Sequence, residues 1–440
     1  MKDKISISVF LVVFLVFGFG WAKESHAGTD GEASLVKLWE RSYSPSDLNF
    51  LLDIAIDGND NIIVTGFTGS FEAVETIKYD GNGEVLWTNR DSSVQIAYAI
   101  AVDSLNKIIV GATHPLTGYN IIKYLPDGTT DWTKTYDEGG ADLVCSVACD
   151  GDDNIIVLGD TQPDQGWMTL KYDNEGNLLW NKPFGCPEGR LGYPQSVAID
   201  SYNNIILAGY GYYNSYSSTD MVIIKYDPEG NMLWSEPVVY DSGNYDYAQA
   251  VCVDKDDNIV IAGSRRDGEG NDHLYVRKYG SDGSFIWDVV EDSGISIAHA
   301  VAIDKNDRIL VGGTKGEYRD SNYIVCYDTS GNRLWDLAYN PTPGNDEIYG
   351  LAIDSNNDIG VGSTATGATG TYLTTKYAYA CEGDFNHDGD VDGSDLAVFA
   401  ADFGRTDCVN EPPCEGDFDK DGNVDGSDLA VFAADFGSPD

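Results

Sequence analysis

The chain has 440 residues, of which 42% are hydrophobic, and a formal net charge of −45. This length exceeds a single compact core, so two or more folded units are expected. The negative charge argues against nucleic acids and anionic membranes as partners, because no basic patch is present to release their counterions.

The N-terminus has the pattern of an export signal. A short positive start precedes an apolar run over residues 5–20, and the small residue Ala27 stands before Gly28. A retained membrane anchor is the alternative, but the run is shorter than the roughly 20 residues that span a bilayer, and no second apolar stretch follows. We therefore predict that residues 1–27 are a signal peptide and that the mature protein is secreted, either extracellular or at the cell surface, without membrane contact.

Between its ends the chain repeats itself about every fifty residues. One anchor is an aspartate that ends a short apolar run, at Asp57, Asp103, Asp150, Asp200, Asp254, Asp304 and Asp354. A second anchor is a tryptophan that follows a glycine-containing turn, at Trp87, Trp132, Trp180, Trp234, Trp287 and Trp335. Short β-branched runs bounded by Gly, Asp and Asn are strand signals, so each repeat is predicted to form four strands, the fourth carrying the tryptophan.

The two ends of the repeat region complement each other. The last repeat stops near Tyr377 without a tryptophan strand, whereas residues 35–43 look like an isolated fourth strand that carries Trp39. We therefore predict a mainly β fold, a closed seven-bladed β-propeller over residues 28–379, since closure removes free strand edges. An open solenoid is the alternative, and it leaves the complementary ends unexplained. The repeats resemble the propellers of bacterial secreted proteins of the SBBP-like kind, which implies an architecture but no particular activity.

A lysine also recurs in the third strand, at Lys78, Lys123, Lys171, Lys225, Lys278 and Lys376, and Cys326 replaces it in the sixth repeat. A catalytic group is needed once, but a contact that holds a blade together is needed in every blade. We therefore interpret the repeated lysines and aspartates as buried structural partners and the tryptophans as core residues.

Ligand binding is expected where the repeats differ. In a propeller two of the four connections in each blade emerge on the same face, which we call the variable face; here they include residues 182–195, 210–220, 237–248, 264–273 and 339–349. The predicted ligand-binding residues in them are Tyr193, Tyr212, Tyr213, Tyr216, Tyr245 and Tyr247. Tyrosine beside Asp, Asn and Gly suits a polysaccharide, because rings cover sugar faces and short polar side chains bind hydroxyls. The same composition suits a protein partner, and loops that bind nothing are the third interpretation.

No catalytic residue is assigned. The histidines of the mature chain lack zinc-binding spacing, and no G-x-S-x-G nucleophile motif occurs. Paired carboxylates can cleave glycosidic bonds, but a chain this acidic offers too many pairs to select one. The sequence therefore favours a noncatalytic binding protein, with a secreted carbohydrate-active enzyme as the first alternative and a cell-surface adhesin as the second.

The last 60 residues hold 17 acidic side chains against Arg405 and Lys420. A disordered acidic tail is one interpretation, but residues 384–395 and 417–428 repeat one pattern at an offset of 33. In EF-hand-type loops, oxygen ligands fall at positions 1, 3, 5, 7, 9 and 12, with glycine at position 6. We therefore predict two Ca²⁺ ions, held by Asp384, Asn386, Asp388, Asp390, Asp392 and Asp395 in the first loop and by Asp417, Asp419, Asp421, Asn423, Asp425 and Asp428 in the second.

Each loop ends in Asp and runs into one helix, SDLAVFAADFG. In these features residues 380–440 resemble a type I dockerin. The resemblance implies that the module binds a cohesin-like domain on an extracellular or cell-surface scaffold, and it implies a link to polysaccharide breakdown. Recognition would use positions 10 and 11 of each loop, which are identical in both halves and suit a two-way surface: Gly393, Ser394, Gly426 and Ser427. Apart from this partner, the protein is expected to be a monomer.

Several side chains are expected to lie inside these units. Within the repeats, the cysteines expected to be buried free thiols are Cys145, Cys149, Cys252 and Cys326. In the terminal module one disulfide is expected, from Cys408 to either Cys381 or Cys414. The aromatic residues expected in the core of that module are Phe399, Phe403, Phe432 and Phe436.

Overall fold

The larger part of the molecule is a ring of seven antiparallel sheets. The computed structural model describes residues 25–26, 35–114, 118–137, 142–161, 166–214, 216–291, 294, 296–316, 321–341, 345–365, 370–379, 383, 385, 391, 393–406, 408, 414, 416–418 and 422–435. The expected fold class is confirmed: four-stranded blades make a mainly β molecule with a small helical module. Apart from Ser25–His26, the predicted signal peptide lies outside the described residues, and the domain boundaries stay predictions.

Each blade is a meander of four strands. Blade 1 consists of Asn49–Ile56, Ile62–Thr68, Ala73–Tyr79 and Val85–Asp91, and blade 2 of Ile96–Val102, Ile108–His114, Gly118–Tyr124 and Thr130–Tyr136. Blade 3 consists of Val144–Cys149, Ile155–Thr161, Gly166–Tyr172 and Leu178–Phe184, and blade 4 of Gly192–Ile199, Ile205–Gly211, Asp220–Tyr226 and Val238–Tyr240. Blade 5 consists of Asp246–Val253, Ile259–Arg266, Asp272–Tyr279 and Phe285–Val290, and blade 6 of Ser296–Ile303, Ile309–Lys315, Ser321–Tyr327 and Arg333–Tyr339. Blade 7 consists of Asp346–Ile353, Ile359–Ala365, Thr371–Tyr379 and the N-terminal strand Leu35–Tyr43.

The ring closes where the two ends of the repeat region meet. Strand Leu35–Tyr43 pairs antiparallel with Thr371–Tyr379, with Trp39 opposite Lys376. The first strand of blade 7 packs against the first strand of blade 1, as first strands do between the other neighbouring blades. The closed propeller is therefore confirmed. A two-residue strand, Ser25–His26, extends the outer edge of blade 7, and the predicted signal cleavage would leave that blade with four strands.

The repeated lysine and aspartate form a buried ion pair in six of the blades. Their Nζ–Oδ2 distances are 2.6–2.9 Å in Lys78–Asp57, Lys123–Asp103, Lys171–Asp150, Lys225–Asp200, Lys278–Asp254 and Lys376–Asp354. The lysine also reaches the next blade, as Lys225 does when it donates to the carbonyl of Ser281 at 3.1 Å. The structural interpretation of these residues is confirmed, because each pair joins the first and third strands of its own blade, and in blades 1 to 5 the lysine also reaches the next blade.

Blade 6 satisfies its aspartate in another way. Arg308, four residues after Asp304, contacts the carboxylate at 2.5 Å, and the hydroxyl of Tyr379 donates to the same oxygen at 3.1 Å. In blades 1 to 5 the lysine donates to the turn between the third and fourth strands of the next blade. Blade 7 has no such turn, since its fourth strand comes from the N-terminus. A lysine in place of Cys326 would lack that second acceptor, and the buried indole N–H of Trp335 has no partner among the described residues.

The tryptophans hold neighbouring blades together. The indole N–H of Trp87 donates to the carbonyl of Pro126 in the next blade at 3.0 Å, and Trp39 makes the closing contact to the carbonyl of Gly81 at 2.8 Å. The turn glycines pack directly under these rings. A Cβ on Gly83, whose φ is +79°, would lie 2.7 Å from the ring of Trp39, so this turn requires glycine both for its backbone and for its neighbour.

The expectation that every fourth strand carries its tryptophan is wrong for blade 4. There Trp234 precedes the strand Val238–Tyr240 and lies outside it. Pro237 separates the two, and proline lacks the backbone donor that a strand ladder needs. Trp234 still packs against the next blade, because a Cβ on Gly283 would lie 3.3 Å from its ring.

The terminal module contains two helices, Gly393–Asp402 and Gly426–Asp435. Their equivalent phenylalanines, Phe399 and Phe432, are buried and stack with ring centroids 5.1 Å apart. No helix in the described part of the chain is long and apolar enough to cross a membrane.

Candidate calcium module and ligand-binding face

The second predicted calcium loop is built around a fully buried carboxylate. Asp428 has no exposed surface, and its two oxygens accept backbone N–H groups from Phe418 and from Asp425, each at 2.8 Å. These bonds join the beginning and the end of the loop to the first turn of the second helix. Because each carboxylate oxygen has a further lone pair, Asp428 can still coordinate a cation.

Asp417, at the first position of this loop, shows whether the loop is suited to a calcium ion. Its Oδ2 accepts the N–H of Gly422 at 3.1 Å, whereas its Oδ1 is buried and has no partner in the described residues. An unpaired buried carboxylate oxygen is costly, and a hard cation that prefers oxygen ligands would satisfy it. The described part of the second loop therefore fits a calcium ion.

Other predicted ligands have different surroundings. Asp425 is exposed and caps the second helix, since its Oδ1 accepts the backbone N–H of Ser427 at 2.9 Å and its hydroxyl at 2.7 Å; Asn423 is half-buried. Asp395 of the first loop is fully buried, like Asp428. The predicted ligands outside the described residues are Asp384, Asn386, Asp388, Asp390, Asp392, Asp419 and Asp421. Within the described residues, no three His, Cys, Asp or Glu side chains are grouped to hold a metal ion.

The described core of the module contains equivalent residues from both halves. Its residues are Val391, Phe399, Cys408, Cys414, Val424 and Phe432, with Phe385 and Phe418 packed against them. Cys408 and Cys414 form a disulfide, which selects one of the two expected pairings. The expectation that Phe403 is buried is wrong: it is 49% exposed, because it follows the end of the first helix. Phe436 lies outside the described residues.

The predicted partner-binding pairs lie at the exposed starts of the two helices. Gly393, Ser394, Gly426 and Ser427 are all exposed. Nothing lies within 4 Å of a Cβ built on either glycine, so the space beside them is open to a partner. Leu396 and Leu429, which the sequence reasoning missed, are 39% and 40% exposed. The 33-residue offset places these two leucines at equivalent positions of the two helices, and this was the signal that could have identified them.

On the propeller, three of the six predicted tyrosines belong to one aromatic surface. Tyr193 stacks on Tyr210 with ring centroids 5.1 Å apart, and Tyr210 meets Tyr247 edge to face at 4.9 Å. Tyr247 lies parallel to Tyr245 at 6.3 Å, and the guanidinium of Arg266 lies 5.1 Å from the Tyr245 ring. We call these five residues the tyrosine surface. It crosses from blade 4 to blade 5 on the variable face.

Of the other three tyrosines, Tyr213 and Tyr216 lie apart from this surface, whereas Tyr212 interacts electrostatically with Tyr193 and Tyr210 and adjoins it. Tyr213 packs against the core between blades 3 and 4, and its carbonyl accepts a bond from Arg190 at 2.7 Å. Tyr216 is 69% exposed, with the Arg190 guanidinium 4.5 Å from its ring. Tyr212 is half-buried, and its backbone N–H donates to the carbonyl of Leu191. The prediction thus named residues from two separate parts of the face.

A feature that sequence reasoning missed lies on the propeller axis. The first strand of every blade shows a register shift against its second strand that leaves one residue unpaired. Such a bulge re-aims a side chain. The seven bulge residues, which we call the channel ring, are Leu52, Tyr98, Cys145, Gln195, Gln249, His299 and Tyr349, and all of them line a central cavity of about 320 Å³. The available signal was that this position, five residues before each repeated aspartate, differs in almost every repeat.

The cysteines of the repeats are free thiols, as predicted. Cys326 is buried as expected, but the expectation of burial is wrong for Cys145, Cys149 and Cys252, which lie on first strands next to the propeller axis and are half-buried. Burial raises the pKa of the Cys145 thiol well above its usual range, so this channel residue is a poor nucleophile.

Beside the channel ring, Asp53 occupies a position where the other blades have small residues. Its oxygens accept the N–H groups of Ile54 and, in the next blade, of Ile100, each at 2.8 Å. Ser146 and Ser196 make the same interblade contact, since their hydroxyl oxygens accept the N–H groups of Val197 and Val251. Burial raises the pKa of Asp53 to about 7, although both backbone bonds lower it.

Replacing Asp53 by serine is expected to flatten the pH dependence of propeller stability. A carboxyl whose pKa is raised on folding stabilises the fold in its protonated form below pH ~4, and this stabilisation is lost as the pH rises through about 7. From pH 5 to pH 8 the free energy of unfolding of Asp53→Ser should rise by about 1–3 kcal/mol relative to that of the unmodified chain. This is less than the full pKa shift of Asp53 implies, because the channel admits solvent. Denaturant unfolding at both pH values measures it. Asp47→Ser, in an exposed loop, is the control, and equal slopes for all three proteins would contradict the expectation.

The comparisons with known proteins bear on both parts of the chain. Residues 382–435 match the family described as Dockerin type I domain, and no curated protein matches the chain. The WD40 domain of Pan2 from Neurospora crassa aligns at 12% identity over 78% of this chain and 95% of its own length, with a TM-score of 0.55, which shows the fold alone. A protein of unknown function from Bacteroides caccae aligns at 12% identity over 63% of this chain and 93% of its own length, with a TM-score of 0.43. Residues 382–435 are therefore a dockerin type I domain, and in this chain it follows a seven-bladed β-propeller.

Proposed function

We propose that this chain is a secreted, noncatalytic binding protein whose propeller binds a glycan on its variable face and whose dockerin attaches it to an extracellular scaffold. Dockerin domains bind cohesin domains and calcium, and proteins that carry them are typically extracellular or at the cell surface. The dockerin therefore implies cohesin-mediated anchoring. The glycan, the link to polysaccharide breakdown, the two ions and the monomeric state belong to the proposal.

The tyrosine surface is the observation that carries the glycan half of this proposal. Tyr193, Tyr210, Tyr247 and Tyr245 present contiguous rings on the variable face, and aromatic rings offer large apolar area together with a polar hydroxyl. Sugars have the complementary character, with C–H faces bordered by hydroxyl groups. A protein partner would use the same tyrosines, but the adjoining cavity of about 320 Å³ is small and most of its lining side chains are uncharged, which favours a small hydroxylated group.

The arrangement of carboxylates favours binding over hydrolysis. Glycosidases use two carboxyl groups roughly 5–9.5 Å apart on either side of the scissile bond. Among the described residues that line the central cavity, Asp53 is the single carboxylate, and it is bonded to two backbone N–H groups. Near the tyrosine surface, Asp272 is paired with Arg266 at 2.9 and 3.2 Å, and both oxygens of Asp246 bond to Ser242. These groups have structural partners.

Replacing Tyr245 by alanine is expected to weaken glycan binding tenfold or more, about 1.4 kcal/mol, because Tyr245 lies at the accessible end of the tyrosine surface. The measurement is a glycan array with the full chain, followed by titration calorimetry on the best neutral oligosaccharide. Tyr202→Ala is the matched control, since Tyr202 is 74% exposed in a tight turn between the first two strands of blade 4, on the opposite face. Equal binding by both variants would contradict the proposal.

Two other results would point elsewhere. Release of new reducing ends from a bound polysaccharide would make the protein a carbohydrate-active enzyme. Binding to cell surfaces that is unchanged after the dockerin is unfolded, with no capture of a cohesin, would favour an adhesin.

A further inference from the structure

We propose that the central channel is a subsite that receives one terminal sugar unit of a neutral glycan, while the tyrosine surface holds the rest of the chain. This inference rests on the proposed function and names the part of the glycan that enters the protein. It is carried by the position of the channel ring, its chemistry and the size of the cavity.

The packing constraints that keep the flanking positions alike in every blade do not apply to the channel ring. The residue before each bulge is buried, as Leu51, Ala248 and Ile348 are, and the second residue after it is aliphatic in every blade. Between these fixed positions the seven bulge residues comprise five different amino acids. Packing therefore constrains the flanking positions but not the channel ring, and the bulge in each blade turns one variable side chain toward the central cavity.

The charge of the lining excludes ionic ligands. None of the described residues that line the cavity is Lys or Arg, so an anion has no permanent counter-charge there, and His299 is the one lining residue that could supply a positive charge by protonation. The single carboxylate there is Asp53, and one carboxylate is a poor site for a divalent cation, which prefers several oxygen ligands. A neutral ligand is the remaining class.

The uncharged polar groups of the ring match hydroxyls. The side-chain amides of Gln195 and Gln249 make no hydrogen bond within the described part of the chain, and neither does the hydroxyl of Tyr98. Amide and hydroxyl groups both donate and accept, as do the hydroxyls of a sugar. Across the ring, His299 and Tyr349 lie with ring centroids 5.5 Å apart and form an aromatic wall for the C–H face of a sugar.

Size and position indicate a chain end. At about 320 Å³ the cavity is at the lower limit of ligand pockets, which run from ≈300 to 1,000 Å³. It encloses one small unit but has no room for a long glycan. Tyr193 and Tyr247 each lie two residues before a channel glutamine in the same strand, so the tyrosine surface forms the rim of the channel on the variable face.

The test uses the full chain and a panel of neutral sugars, glucose, xylose, mannose and galactose with their β-1,4-linked disaccharides, and longer oligosaccharides of the same units. We expect a disaccharide to bind and to compete with the longer chain. The double variant Gln195→Leu/Gln249→Leu, which keeps the volume and removes the hydrogen bonds, should weaken disaccharide binding at least tenfold. Tyr245→Ala should weaken binding of the longer chain more than binding of the disaccharide.

The outcomes separate the two proposals. If the glutamine variant binds every sugar as the unmodified chain does, while Tyr245→Ala loses the oligosaccharide, the channel subsite is wrong and the glycan-binding face stands. If the unmodified chain binds no neutral sugar, both proposals fail. Gln249→Ala is a second variant in case the double leucine variant unfolds, and thermal melting of each variant shows whether it is folded.

Discussion

Removing calcium from the full chain is expected to unfold the dockerin and to leave the propeller folded. Calorimetry should show two transitions, of which the one from residues 382–435 disappears with chelator and returns with excess Ca²⁺. Titration of the chelated protein should reach about two ions per chain. A dockerin transition that is unchanged by chelation would contradict the predicted loops.

The physical reason is that repulsion among the carboxylates of the module should unfold it unless cations neutralise them. Its last 60 residues contain 17 acidic side chains and two basic ones, and Asp395 and Asp428 are fully buried. Its core is small, with six buried residues in the described part. Below roughly 70 residues such a core usually needs a metal or a disulfide for stability. The disulfide between Cys408 and Cys414 spans a short segment, so calcium is expected to supply most of the stabilisation.

A single ligand substitution makes this test specific. Asp428→Asn is expected to lower calcium affinity of the second site at least 100-fold, about 2.7 kcal/mol, since it removes a buried charge at the last ligand position. Asp402→Asn is the matched control, because Asp402 ends the first helix and pairs with Arg405 at 3.0 Å, outside the loops. Equal calcium affinities of the two variants would show that Asp428 is not a ligand.

The second large effect is expected from breaking one buried ion pair in the propeller. Asp200 accepts bonds from Lys225 at 2.9 Å and from the backbone of Tyr202 and Asn204. Asp200→Ala leaves Lys225 buried without its carboxylate, which costs about 3–5 kcal/mol. Denaturant unfolding followed by tryptophan fluorescence measures this loss. Glycan binding by the variant should be unchanged where it is folded; loss of binding at unchanged stability would contradict the structural role.

Blade 6 supplies the matched rescue. It has Cys326 at the lysine position and Arg308 four residues after its aspartate. Lys225→Cys is therefore expected to destabilise blade 4 by a similar amount, and adding Asn204→Arg should restore part of it. The restoration is partial because Tyr379 also donates a hydrogen bond to Asp304 in blade 6. The position beside blade 4 that is equivalent to Tyr379 is Ser281, which is too short to make this bond. No recovery at all would mean that Arg308 does not replace the lysine.

The burial of charged groups also predicts how these pairs respond to acid. Burial raises the pKa of Asp200, but hydrogen bonds from Lys225 and Asn204 lower it more, so the pKa lies below its usual value. The stabilisation is therefore complete above about pH 4 and is lost as the pH falls through the folded-state pKa. Asp53 acts in the opposite direction at higher pH, so the propeller is expected to be most stable in mildly acidic solution.

Much of the fold could be predicted from the sequence because each blade repeats the same local chemistry. Seven aspartates and the glycine-containing turns identify the repeats, and the complementary ends predict the closure that Trp39 completes. The dockerin could be predicted in the same way, since its loop pattern occurs twice in register. In both cases the pattern depends on positions close together in the chain, where backbone conformation and turn chemistry act directly.

Other features depend on contacts between distant residues. The channel ring arises from the register between two strands, and a bulge has no composition of its own, so Gln195 and Gln249 were not recognised. The tyrosine surface joins Tyr193 to Tyr247 across two blades, whereas Tyr216, equally prominent in sequence, lies elsewhere. Spacing along the chain says which residues share a blade, but only the packing of blades around one axis decides which of their side chains meet.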